Sequence, residues 1–275
     1  MRSPPAFSFL RKRMAKTVSK CGRKSSSRDG SSSEHLCLGR EAHENYRTTE
    51  IMTDGSASST PNDPHAGQPI KTRGVPLDAA EGAILLIHGR GARAAGMLQL
   101  AKEIDPTGLA LLAPQARRGV WYPDRFMAPI EHNQPALNSA RACIERAVTK
   151  IRAADIDNSS LILAGFSQGA CLTADYAMRN PAAYGGIVLL SGGLIGEPTA
   201  EFTTEGSLEG TQMMLGVSDD DPHIPVKRAE TTVGVFRAMN ADVRFDLYEG
   251  RGHDVFPEEL SFLAERCAAV TASQR

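Results

Sequence analysis

No stretch of this sequence approaches eighteen consecutive apolar residues, so a membrane-spanning helix is excluded. Cysteine is sparse and carries no pattern. Cys21, Cys37, Cys143, Cys171 and Cys267 are odd in number, widely spaced and never arranged as CxxC. That argues against a disulfide framework or a structural zinc site and for a reducing compartment, with the cytoplasm as the expected location. There is no surplus of either charge, since 31 Lys and Arg stand against 32 Asp and Glu. The balance hides an asymmetry. Residues 1–51 carry 11 basic and 5 acidic residues, which leaves 20 basic and 27 acidic for residues 52–275. A mildly acidic body gives no support to nucleic-acid binding. No internal repeat is present, and no dinucleotide fingerprint or metal-ligand spacing either, so no cofactor and no metal is expected.

What is present divides unevenly. Residues 1–68 are rich in Ser, Lys and Arg and poor in large aliphatics. Such a stretch cannot bury enough surface to offset its ordering entropy, so a disordered tail is expected there. The short apolar patch Ala6–Leu10 is broken by Ser8 and is too brief for a signal peptide. A start of translation at Met52, where composition turns from basic to acidic, would make the segment before it a mis-extension. Residues 69–275 are long enough for one α/β domain with a sizeable core.

Within that body, short apolar runs alternate with longer helical patterns. Ala83–His88, Leu109–Ala113, Leu161–Phe166, Gly186–Leu190, Gln212–Val217 and Arg244–Tyr248 read as strands, with a further edge strand expected over Ile70–Val75. Helical segments fall near 95–104, 134–154, 168–179, 226–240 and 257–270. In the longest, Leu137, Cys143, Ile144, Ala147, Val148 and Ile151 form an apolar stripe at spacings of three and four. Alternation of this kind predicts a mainly parallel sheet covered by helices on both faces. Right-handed crossovers then bring the loops that follow the strands to one edge, where a site would form.

Gly165-Phe166-Ser167-Gln168-Gly169 lies between the run LILA and a helical pattern. Gly-x-Ser-x-Gly at a strand-to-helix turn forces the serine into a strained conformation that exposes its hydroxyl, and larger residues at the glycines would collide with neighbouring elements. The three fixed letters are common; the flanks make them informative. The partners of Ser167 should follow in the order carboxylate, then histidine. Of the two later histidines, His223 follows the aspartates too closely to be oriented by one and still reach Ser167. His253, in a glycine-rich loop past a strand, is preferred as the base. Asp219, Asp220 and Asp221 all follow the strand run MMLGV and all qualify as the acid, with at least one of them expected to be a charged surface turn. His88-Gly89-Arg90-Gly91 is expected to supply one oxyanion donor, the Arg90 backbone N–H, beside that of Gln168. His88 itself is read as structural.

These residues resemble the phospholipase/carboxylesterase family of α/β-hydrolases, which includes the acyl-protein thioesterases. The carriers are HGRGA (88–92), APQA (113–116), WYPDRFMAP (121–129), GFSQGA (165–170), SGGLIG (191–196), DPHIP (221–225) and GRGHDV (250–255). The resemblance implies Asp221 as the acid and His253 as the base. It also implies a serine carboxylesterase with a Ser-Asp-His triad, hydrolysing small to medium acyl esters. The alternative within the family is an acyl-thioesterase or lysophospholipase acting on longer chains. Arg90 stands where the family commonly has Leu, which adds positive charge at the pocket mouth and makes the sequence more similar to the small bacterial and archaeal esterases. Trp121, Phe126, Leu194 and Ile195 are candidates for lining an acyl slot, with core packing equally open for Trp121. The expected partner is a small-molecule acyl ester or thioester, and a homodimer is an open assembly. A non-catalytic binding module is the competing class, against which the complete set of Ser167, Asp221 and His253 weighs.

Overall fold

Four runs in which every residue is buried make the middle of the sheet: β3 (Gly82–Ile87), β4 (Leu109–Pro114), β5 (Leu161–Phe166) and β6 (Gly186–Leu190). Continuous burial is what a parallel strand covered on both faces requires. Each Leu or Ile removed from water there contributes about 1.5–3 kcal/mol. β7 (Gln212–Ser218) and β8 (Asp242–Tyr248) extend the sheet on one side. β2 (Ile70–Gly74) and β1 (Thr49–Ile51) extend it on the other. This computed structural model describes residues 62–104, 106–202 and 204–273 and the backbone of Thr49–Ile51.

The strand order is β1-β2-β4-β3-β5-β6-β7-β8. From β4 through β8 all neighbours are parallel, while β1 and β2 run antiparallel. The sheet is therefore mostly parallel, as expected. It is flanked by α1 (Ala94–Leu100), α2 (Ala136–Arg152), α3 (Gln168–Arg179), α4 (Val226–Ala238) and α5 (Pro257–Ala272). The apolar stripe of α2 is buried at all six positions read from the spacing. This is an α/β-hydrolase architecture, and the loops leaving β3, β5, β7 and β8 share one edge of the sheet.

Two pieces of the expected tail belong to the fold. Thr49–Ile51 pair with Ile70–Thr72, so β2 is not an edge strand. Residues 62–68 pack on the domain through His65, which is 1% exposed. Its Nε2 donates to Trp121 O (2.8 Å), its Nδ1 accepts from Arg117 N (3.1 Å), and its own N–H donates to Ser139 Oγ (2.8 Å). These contacts bridge 52 to 74 residues of sequence, a range over which local composition carries no signal. The rest of the expected tail, Met52 included, lies outside the described residues.

Candidate active site

Ser167 joins β5 to α3 with φ 55° and ψ −120°. Positive φ at a non-glycine residue costs about 1–3 kcal/mol and persists only where the surroundings enforce it. Here the enforcement is visible. Ser167 N donates to Leu190 O on β6 (2.9 Å), and Ser167 O accepts from Cys171 N in the first turn of α3 (3.0 Å). A Cβ at Gly165 would stand 2.5 Å from Gly169 O and from Thr173 Oγ1. One at Gly169 would collide with Ile87 O and stand 2.6 Å from His88 O. Gly165 is demanded by the far side of the turn and Gly169 by the end of the neighbouring strand β3.

His253 Nε2 lies 2.8 Å from Ser167 Oγ, and His253 Nδ1 lies 2.7 Å from Asp221 Oδ2. A carboxylate only accepts, so Nδ1 carries the proton and Nε2 is left to accept from the serine hydroxyl. The side chain of Asp221 is wholly buried and that of His253 is 9% exposed. Burying the carboxylate is tolerable because its other oxygen accepts from His223 N (2.8 Å) and Ile224 N (3.1 Å). His223 stands edge-on to His253, ring centres 4.8 Å apart, and is not in the chain. Desolvation and then the neighbouring His253 lower its pKa.

The aspartate triplet does more than the sequence suggested. Asp219 Oδ1 accepts from Gly250 N (2.8 Å) and Asp220 Oδ1 accepts from Gly252 N (2.7 Å). Ser218 Oγ accepts from Arg251 N (2.9 Å) between them and donates to Asp220 Oδ1 (2.7 Å). The Ser218 hydroxyl and the Gly252 amide hold the Asp220 carboxyl below the usual range. Four consecutive residues, Gly250 to His253, are thus each fastened to Ser218–Asp221. Asp219 and Asp220 do lie in an exposed turn, as expected for at least one of the three, but each also accepts a hydrogen bond from the histidine loop. For Asp219 and Asp220 the sequence gives no sign of this, because the donors are backbone amides. Only the parallel pairing of β7 with β8, ending at Ser218 opposite Tyr248, brings the two loops together.

Gln168 follows the nucleophile directly, and Gly89, next to Arg90, packs on the elbow, where a Cβ would stand 3.2 Å from Ser167 Cβ. The loop that carries Arg90 is held by His88. Ala116 N donates to His88 Nε2 (3.0 Å), which places the ring proton on Nδ1, 2.8 Å from Gly89 O. Burial of this neutral ring pushes its pKa down to about 4. His65 carries the opposite tautomer, also with its pKa lowered by burial. Trp121 lies between the two imidazoles, with ring centres at 5.4 and 4.9 Å, and its Nε1 donates to His88 O (2.8 Å).

Trp121 has no exposed surface, so its expected place in an acyl slot gives way to a place in the core. Its N–H is taken by His88 O and its ring packs against both imidazoles, so the indole is a packing element of the core. Leu194 is also fully buried, while Phe126 and Ile195 keep 8% and 4% of their surface. Gly196 N donates to Phe126 O (2.9 Å) and joins the two loops that carry them. No group of three or more His, Cys, Asp or Glu among the described residues is arranged to hold a metal ion.

The profile of the phospholipase/carboxylesterase family matches residues 75–270. A crystal structure of a phospholipase/carboxylesterase from Dyadobacter fermentans is 40% identical, with a TM-score of 0.69 over 72% of this chain and 95% of that one. Acyl-protein thioesterase 1 of Gibberella zeae is 30% identical over 103 residues, 36% of this chain and 43% of that protein. The chain spans about half the length of the curated relatives it matches. The Bacillus cereus carboxylesterase, 18% identical with a TM-score of 0.58 over 77% of this chain and 100% of that one, shares the fold.

Proposed function

The chain belongs to the phospholipase/carboxylesterase family, and from that membership we propose that it is a serine carboxylesterase for small to medium acyl esters. Ser167 is the nucleophile, His253 the base and Asp221 the group that orients the base. The observation that carries this is the unbroken chain of two short hydrogen bonds from Asp221 through His253 to Ser167. As Ser167 Oγ attacks the ester carbonyl, its proton passes to His253 Nε2, and Asp221 stabilises the imidazolium that results. The carbonyl oxygen becomes negative between the Arg90 and Gln168 amides, helped by the N-terminus of α3. His253 then returns the proton to the departing alcohol, leaving an acyl-enzyme. Water, deprotonated by the same imidazole, releases the acid and restores Ser167.

Acyl-thioester hydrolysis is the second reading, because the same atoms serve when the leaving group is a thiol and because curated relatives are acyl-protein thioesterases. Two experiments decide. A fluorophosphonate probe should label the wild type and not Ser167→Ala; equal labelling of both overturns the nucleophile. Aryl esters from acetate to palmitate, assayed beside a palmitoyl thioester, should show turnover of the shorter esters. A preference for the thioester selects the second reading.

A further inference from the structure

Arg90 is an exposed residue whose guanidinium nevertheless makes three hydrogen bonds to the protein. Nη1 donates to Pro123 O (2.8 Å), and Nη2 donates to Tyr122 O (2.8 Å) and Asp124 O (2.6 Å). Three consecutive carbonyls are gripped by one planar fork, an arrangement that a single ammonium cannot reproduce. From the other side, Gln168 Nε2 donates to Tyr122 O (2.8 Å) and Gln168 Oε1 accepts from Trp121 N (3.0 Å). The two residues whose amides are assigned to the oxyanion hole therefore use their side chains to fasten one segment, Trp121–Asp124. That segment continues through Phe126 O to Gly196 N, and Leu194 O in turn accepts from Arg228 Nη1 (3.1 Å). The walls drawn together in this way carry the nearly sealed Phe126 and Ile195.

We propose that Arg90 is a positioning and specificity residue: its guanidinium bolts the oxyanion loop to the Tyr122–Asp124 wall and holds the acyl slot at short-chain size. The proposal rests on the esterase reading above and names the feature that sets its acyl length. A long acyl chain must push the wall aside and break three charge-assisted hydrogen bonds, whereas an acetyl group need not. The same bolt fixes the residue-90 amide before substrate arrives, which favours every ester alike. Removing it should therefore move two quantities in opposite directions, a pattern that loss of stability alone does not produce.

The test compares wild type, Arg90→Leu and Arg90→Lys on p-nitrophenyl acetate, butyrate, octanoate and laurate, with thermal midpoints measured alongside. In Arg90→Leu, kcat on acetate should fall about tenfold, less than the loss from deleting an oxyanion donor outright, with KM little changed. The ratio of kcat/KM for octanoate to that for acetate should rise about tenfold as the wall gives way. Arg90→Lys should fall between the two proteins. Parallel chain-length profiles in all three overturn the proposal while leaving the esterase intact. Should Arg90→Leu not fold, a wild-type profile and kcat in Arg90→Lys overturn it alone. Absence of turnover on every ester in the wild type, with Ser167 unlabelled by fluorophosphonate, sinks the esterase reading and the role of Arg90 with it.

Discussion

Acid should loosen this protein through His88 in particular. Its ring is neutral in the fold, because burial holds its pKa at about 4 against an ordinary 6.5. Protonation would also turn Nε2 from an acceptor of the Ala116 amide into a second donor facing it. The unfolded chain takes up a proton below about 6.5 while the native chain does not until about 4. The stability due to His88 is thus complete above that range and is lost as the pH falls through it. Each pH decade between the two values costs about 1.4 kcal/mol. Passing from neutrality to about pH 4.5 should remove about 2.5 kcal/mol, which for a domain of this size lowers Tm by about 5–10 °C. His88→Gln keeps an acceptor for Ala116 but cannot titrate. Urea midpoints of both proteins at the two pH values isolate the difference, since all other groups titrate in common and m should not change. The wild type should lose about 2.5 kcal/mol more than the variant over this interval. Equal losses in the two proteins refute the reasoning.

Asp221→Asn should lower kcat by about 10⁴-fold, as expected when the orienting acid is lost, with Tm nearly unmoved; inactivation by Asp219→Asn or Asp220→Asn but not by Asp221→Asn refutes the assignment. Gly169→Ala sets a methyl group against Ile87 O and His88 O and should cost about 3 kcal/mol in denaturant unfolding, with activity lost as the elbow shifts. A soluble, fully active Gly169→Ala refutes the reading of the turn. Glu259 is buried, with Oε2 accepting from Phe256 N (2.8 Å), and burial raises its pKa well above the usual carboxylate value. The stability it confers is complete below about 4.5 and is lost as the pH rises, so Glu259→Gln should unfold at a higher temperature than the wild type at mildly alkaline pH. A thermal scan in which the variant gains nothing there rejects this sign.

The central strands were legible because parallel pairing leaves them no polar face: LILAGF and GIVLL admit few other readings, and both were found at the bounds read. β8 mixes exposed and buried residues, with Val243 and Tyr248 buried, Leu247 exposed, and Arg244 and Asp246 joined as an ion pair (2.7 Å). Its first two residues, Asp242 and Val243, escaped a search for continuous apolar runs. Ser167 and His253 were found by motif and order, whereas spacing left the acid among three aspartates and only the resemblance singled out Asp221. What could not be read was held by backbone atoms or by distance along the chain. The grip of Asp219 and Asp220 on the histidine loop uses amides that every residue possesses. The docking of His65 depends on partners far along the sequence. The aromatic cluster at Trp121–Phe126 was visible, but which ring faces inward is decided by neighbours that periodicity does not encode.

The chain contains a single tryptophan, and it is the one wedged between two imidazoles beneath the loop that carries Arg90. Tryptophan emission, excited beyond the absorption of the five tyrosines, therefore comes from one address. A shift in its colour or intensity reports on that loop without any attached label, and a protonated imidazole quenches an indole more strongly than a neutral one. A fluorimeter trace taken while acid is added would follow the packed rings directly, ahead of any unfolding of the sheet around them.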